Sequence, residues 1–406
     1  MSKLFQIALG IIAAIGGFVD IGDLVFNTQA GATYGYSLLW AVPIGVLGII
    51  VFGEMSGRVG AIANKANFDL VRDRYGRRLG LATLVASLLL NLLTLAAELG
   101  GIAFVFNYFL DVSYQFFILV AFLFIAASAW FLSFSAIERI FGYGGLALLV
   151  YLVGAVHLKP GWSDIGQGFI PSAHGPALYA YFAVGLIAAA LMPYEIYFYS
   201  SGAVEEGWTE EDLGINRANA ILGFGLGGLL AISLMVIAAE IFLPHKIQPD
   251  SIGTVALAAQ VPYGETGLVL GLLGILCAVG GAAIDTSFSA AYNLAQYNGW
   301  EWGKTKGRHG APQWSLSWAI CLLLASMITM TGIDPVELTE YAVVLSVVAL
   351  PLTYLPILLV ARSREVMGDH TNGAFANTLG WVYFALICLL AVAAPILLVV
   401  TNGGSG

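Results

Sequence analysis

Charged side chains are scarce in this sequence. Asp, Glu, Lys and Arg make up 10% of its 406 residues, against roughly 25% in a soluble domain. Hydrophobic residues fill 59% of the chain and the mean hydropathy is +0.87, which excludes a soluble enzyme. Cysteine is almost missing. Cys277, Cys321 and Cys388 are the only three, each in an apolar run without pairing spacing, so neither a disulfide frame nor a Cys-based metal site is indicated. Histidine is missing from the middle of the apolar runs: His157, His174, His245, His309 and His370 fall in loops or at run ends. The net charge of −9 argues against a nucleic-acid partner. Nothing in the pattern calls for a resident cofactor or an obligate protein partner. What the chain has in abundance is apolar segments long enough to cross about 30 Å of hydrocarbon.

Windows of about 19 residues give eleven spans, near 4–26, 36–57, 81–108, 114–134, 142–158, 177–200, 217–243, 264–295, 314–332, 340–361 and 378–401. The first is too long for a signal core and carries carboxylates, so it reads as a span and not as a cleaved signal. With the N-terminus in the cytoplasm, fourteen of the 16 Lys and Arg residues face inside and only Lys159 and Lys246 face outside, the asymmetry expected of the correct orientation. The C-terminus is then extracellular. The longest inside loops are 58–80, 201–216 and 296–313. The second of these is acidic, with a capped helix start at Thr209-Glu210-Glu211-Asp212.

Carboxylates inside hydrocarbon need a partner, water or a cation, so each marks a functional position. Asp20 and Asp23 lie in the first span, Glu98 in the third, Glu195 in the sixth and Asp285 in the eighth, with Glu54 and Glu240 nearer span ends. No Lys or Arg lies at comparable depth. Buried negative charge without buried positive charge implies a cation.

The first span reads Gly16-Gly17-Phe18-Val19-Asp20-Ile21-Gly22-Asp23-Leu24, poor helix and good unwound turn. In the sixth, Ala189-Ala190-Leu191-Met192-Pro193-Tyr194-Glu195 is interrupted by a proline that bars the continuous ladder. Two spans broken within the membrane, five apart, predict a five-plus-five inverted repeat with its site where the breaks meet. The repeats run approximately over 1–160 and 170–362, with an extra helix at 378–401, all in one transmembrane domain. Asp20 and Asp23 offer hard oxygens, Ala189 its carbonyl and Met192 a thioether. Carboxylate and carbonyl suit Mg²⁺, Ca²⁺ or Mn²⁺, and the thioether adds preference for softer ions. The competing readings make Asp20 and Asp23 helix caps and Met192 a filler of a core gap.

The residues from Asp20 to Trp40, including Gln29-Ala30-Gly31-Ala32-Thr33-Tyr34-Gly35-Tyr36-Ser37-Leu38-Leu39-Trp40, resemble the natural resistance-associated macrophage protein (NRAMP) transporters. So do Arg58-Val59-Gly60 through Tyr75, and Met192-Pro193. The resemblance covers most of the chain. It implies a LeuT-like all-α fold and carriage of divalent metals such as Mn²⁺ and Fe²⁺, commonly with protons. Several positions depart from the family pattern. Its Asp-Pro-Gly-Asn is Asp20-Ile21-Gly22-Asp23 here, its Met-Pro-His-Asn is Met192-Pro193-Tyr194-Glu195, and its second histidine is Tyr199. An acid usual in the third span is Leu95, though Glu98 is kept, and a glutamine expected before Pro351 is Ala349.

These departures share a direction. Histidine titrates near neutral pH and suits a proton relay, whereas tyrosine titrates near pH 10. More carboxylate favours a hard ion carried partly hydrated, as in the NRAMP-related magnesium transporters, which carry Mg²⁺ as well as Mn²⁺. The expectation is a secondary transporter, not an enzyme, that imports Mg²⁺ and Mn²⁺ across a bacterial plasma membrane by alternating access, with weak or no proton coupling. Asp20, Asp23, Ala189 and Met192 hold the metal. Glu98, Glu195, Tyr194, Tyr199 and Asp285 stand around it or along its path, with Glu195 divided between a site role and a helix-capping one. The alternative is a proton-coupled Mn²⁺/Fe²⁺ importer whose relay runs through Glu98. A Na⁺-coupled amino-acid carrier fits poorly, because two aspartates would repel a substrate carboxylate. An intramembrane enzyme fits no better, since no His-Glu-x-x-His motif occurs.

Overall fold

A computed structural model of the chain describes residues 19–110, 112–171 and 175–404, without the side chains of Phe109 and Arg308. Most of the first span, residues 4–18, lies outside the described residues. Its remainder is helix α1 (Ile21–Tyr34). Then follow α2 (Ala41–Ala63), α3 (Asn67–Phe109), α4 (Tyr114–Phe131), α5 (Phe134–His157), α6a (Ala177–Ala189), α6b (Pro193–Glu205), α7 (Leu213–His245), α8 (Ile252–Asn298), α9 (Pro312–Thr329), α10 (Pro335–Ala361) and α11 (Ala374–Val400). With α6a and α6b taken as one span, ten helices among the described residues are long and apolar enough to cross a membrane. They coincide with the second to eleventh sequence spans. No strand occurs among the described residues.

Two helices begin more than ten residues before their apolar runs. Residues 67–75 of the inside loop 58–80 are helical and join α3 across Gly76 (φ 82°, ψ 164°), a conformation that glycine adopts readily and other residues do not. In the same way 252–263 precede Gly264 (φ 60°, ψ −147°) in α8. Hydropathy windows miss the first because it is polar and charged, and the second because its short apolar run, cut off at Gly264, cannot fill a window of about 19 residues. The Thr209–Asp212 capping box forms as its spacing predicts.

Helices α3 and α8 pack along each other at the centre. Helix α8 carries a run of small residues, Gly280, Gly281, Ala282 and Ala283, all buried; a Cβ at Gly280 would sit 2.7 Å from Phe141 Cε1 of α5, so the run lets neighbouring helices approach where no hydrophobic drive separates helix from lipid. Asn293 Nδ2 donates to Ser87 Oγ across the α3–α8 contact at 2.6 Å. Around the pair, α1 packs on α7 and α2 on α6b, α3 packs on α10 and α8 on α5, and α3 packs on α4 and α8 on α9. The α1–α7 contact depends on Gly31, where a Cβ would sit 2.2 Å from the Met235 carbonyl oxygen. Helix α11 lies outermost, with Val382, Leu389, Val392, Ile396 and Val399 exposed in one stripe at helical spacing, the surface expected to meet lipid chains.

Candidate functional site

The site is built on the interruption of the sixth span. Helix α6a ends at Ala189, Met192 is extended (φ −63°, ψ 125°), and Pro193 opens α6b as its first residue. The residue before a proline is driven out of the helical region, and proline at the first helical position forfeits nothing. The carbonyl of Ala189 loses its partner for a covalent reason, because the residue four places on is Pro193 and has no N–H. One freed carbonyl, that of Leu191, is met by Tyr354 Oη of α10 at 3.1 Å.

The start of α1 faces this break. Asp20 is fully buried and caps the helix, its Oδ1 accepting from the Asp23 N–H at 3.1 Å. The capping reading is therefore true of one oxygen. The other, Oδ2, accepts from Tyr194 Oη of α6b at 3.2 Å. A Cβ at Gly22 would lie 2.9 Å from Asp20 Oδ1, 3.4 Å from Val343 Cγ2 and 3.7 Å from Ala189 Cβ, so α1, α6a and α10 converge here around a missing side chain. Met192 is buried against Tyr194 and Leu90. Asp20, Ala189, Met192 and Tyr194 are thus brought together. Asp23 is buried one turn along, its Oδ1 3.4 Å from Asn27 Nδ2 and its Oδ2 without a hydrogen-bond partner.

The remaining acids differ in their surroundings. Glu195 lies in the first turn of α6b, where the helix dipole favours negative charge, yet neither of its buried oxygens has a partner and it caps nothing. It is within electrostatic reach of Asp20, Asp23, Asp285 and Glu98. Glu98 Oε1 accepts from Thr286 Oγ1 at 3.3 Å while its Oε2 is bare. Asp285 is partly exposed and also feels Glu138 of α5. Tyr199 stands apart, its Oη donating to Asn216 Oδ1 at 3.0 Å. The two acids nearer span ends are partnered: Glu54 pairs with Arg58 at 3.0 Å, and Glu240 accepts from Tyr36 Oη.

No ion pair among the described residues involves Asp20, Asp23, Glu98, Glu195 or Asp285. Nor do three His, Cys, Asp or Glu side chains among the described residues converge to metal-binding distance. The groups gathered at the break are instead mixed: the Asp20 carboxylate, the Ala189 backbone carbonyl and the Met192 thioether. Sequence reading passed over Asn27, Thr286 and Tyr354. Asn27 was within reach of a pattern, being four residues after Asp23 on the same helix face. The other two approach from distant helices and leave no local trace.

Comparison with known proteins agrees with this architecture. A family model described as natural resistance-associated macrophage protein-like matches residues 10–397. The chain is 29% identical over 395 residues to the divalent metal cation transporter MntH of Deinococcus radiodurans, covering 94% of this chain and 87% of that protein. It is 26% identical over 399 residues to MntH of Pectobacterium carotovorum, covering 96% and 93%. In fold it is similar to the crystal structure of the Eremococcus coleocola manganese transporter bound to an aromatic bis-isothiourea compound. That match has a TM-score of 0.77 at 17% identity and covers 98% of this chain and 87% of the other. An all-helical bundle broken at Pro193, with a buried aspartate facing the break and a family match over nearly its whole length, is a membrane transporter and not an enzyme: the chain belongs to the natural resistance-associated macrophage protein-like family.

Proposed function

We propose that this protein imports divalent cations, Mn²⁺ and Mg²⁺, by alternating access about the seam between α1 and α6. One observation carries the reading. Four buried carboxylate oxygens around the seam, Asp23 Oδ2, Glu98 Oε2 and both of Glu195, have no hydrogen-bond partner among the described residues, and no basic side chain among them forms an ion pair with these acids. Buried unpaired charge costs several kcal/mol, and a divalent cation offsets it where nothing in the protein does. Asp20, the Ala189 carbonyl and Met192 hold the ion. Asp23 and Glu195 face its remaining waters, which suits an ion that dehydrates reluctantly. The names of the MntH relatives support a divalent metal cation, the manganese transporter of similar fold supports Mn²⁺ among such cations, and the added carboxylates support Mg²⁺ beside it.

The packing supports a repeat of five helices followed by five. Exchanging each helix with the one five places on turns the α3–α10 contact into α8–α5, α3–α4 into α8–α9, and α1–α7 into α6–α2. Under the orientation read from Lys and Arg, α1 and α6a form the outer half of the seam and α6b the inner half.

A second reading, proton-coupled Mn²⁺ or Fe²⁺ import, is favoured by Glu98. Its bare Oε2 lies within electrostatic reach of Asp20, where a carboxylate could carry a proton without histidine. Uptake of Mg²⁺ and of Mn²⁺ into proteoliposomes, each with a trapped indicator and an internal pH dye, separates the two. Influx of both ions without acidification supports the first reading. Mn²⁺ influx alone, with acidification abolished by Glu98→Gln, supports the second. Normal transport by Asp20→Ala removes the site from either.

A further inference from the structure

Seven residues beyond Gly22 on the same face of α1 stands Gln29, whose Nε2 donates to Glu340 Oε1 of α10 at 3.3 Å. Its own Oε1 is buried and has no hydrogen-bond partner. Tyr181, two turns outward from Ala189 on α6a, is 2% exposed, and its hydroxyl is likewise bare. Tyr181 and Glu340 lie within electrostatic reach of each other. The groups that act on Glu340 are Gln29, Glu337 and Asp334, and no basic side chain among the described residues balances it. Gln29 lies roughly 13 Å along the helix axis from Asp20, at 1.5 Å rise per residue.

We propose that Glu340, the amide oxygen of Gln29 and the hydroxyl of Tyr181 form a second, weaker cation site on the outer side of the seam, which receives the divalent ion before Asp20 does. This rests on the divalent-cation reading above. The three donors are hard oxygens from three different helices, and they lack a thioether. The outer site therefore takes a partly hydrated Mg²⁺ or Mn²⁺ with little discrimination, and selection falls to Met192 further in. Its single carboxylate makes it weak enough to release the ion inward. Fixed negative charge at the entrance raises the local cation concentration and so acts on capture more than on turnover.

The test uses Mn²⁺ uptake by full-length protein in proteoliposomes. Glu340→Gln keeps the size of the side chain and a hydrogen bond to Gln29 but removes the charge. It is expected to raise the KM for Mn²⁺ about three- to tenfold with the saturating rate unchanged, and Glu340→Asp to restore most of the loss. A second measurement is direct. The paramagnetic resonance of free Mn²⁺, titrated with purified Asp20→Ala protein, is expected to show one weak residual site that Asp20→Ala/Glu340→Gln lacks. An unchanged KM overturns the outer site, and so does a lowered saturating rate at constant KM, which would make Glu340 only a brace between α1 and α10. Wild-type protein that carries no Mn²⁺ overturns the transport reading itself, a result distinguishable from either.

Discussion

Tyr194 Oη donates to Asp20 Oδ2 at 3.2 Å, joining the first residue before α1 to the first turn of α6b. With its other oxygen committed to the cap of α1, Asp20 in the proposed site shares Oδ2 between the tyrosine and the ion. Tyr194→Phe removes the competing donor while leaving the ring. The variant is expected to bind Mn²⁺ more tightly, by about three- to tenfold for a net hydrogen bond of about 1 kcal/mol, and to release it more slowly. Titration calorimetry on the detergent-solubilised protein checks this; weaker binding would mean that the hydroxyl is itself a ligand.

Tyr194→His introduces a group that titrates near pH 6.5 at the position where the family pattern has histidine. Protonated, it places a positive charge beside Asp20 and repels the cation. Mn²⁺ uptake by this variant is expected to fall as pH drops through about 6.5, with the wild type flatter over the same range. Parallel profiles would show that the pH dependence arises elsewhere.

Met192 is the soft donor of the proposed site, buried against Tyr194 and Leu90. Met192→Ala is expected to weaken Mn²⁺ uptake about tenfold and leave Mg²⁺ nearly unaffected, since thioethers favour transition metals over hard ions. The ratio of the two KM values reads this directly. An equal loss for both ions would assign Met192 to packing alone.

Gly31→Ala tests the α1–α7 contact. The new methyl would meet the Met235 carbonyl at 2.2 Å, and a backbone atom cannot swing aside as a side chain can. A destabilisation of about 1–3 kcal/mol is expected, visible as a lower midpoint of thermal aggregation in detergent. An unchanged midpoint would place the two helices further apart than described.

Legibility in the sequence followed the range of the interactions. The ten described spans and the break at Pro193 rest on local rules, hydropathy and a missing N–H, and both are readable along the chain. Asp20 stands out as a candidate for the same reason, being an acid in an apolar run. Its bond to Tyr194 joins residues 174 positions apart, and Gln29–Glu340 spans 311. Contacts of that kind follow from which helices pack together, information that no window of sequence contains. The helix before Gly76 escaped because it is polar and hydropathy does not report helicity, and the helix before Gly264 because its apolar run is too short to fill a window.

The gap at Pro193 has a consequence for the unloaded carrier. A ligand created by a rearrangement can be withdrawn by its reversal, but the missing N–H is part of the covalent chain and has no off state. In the proposed cycle the Ala189 oxygen is left without an N–H partner once the ion departs, and water must take the vacated place. The empty leg of the cycle is therefore a hydrated one, and its speed should respond to osmotic stress more steeply than that of the loaded leg.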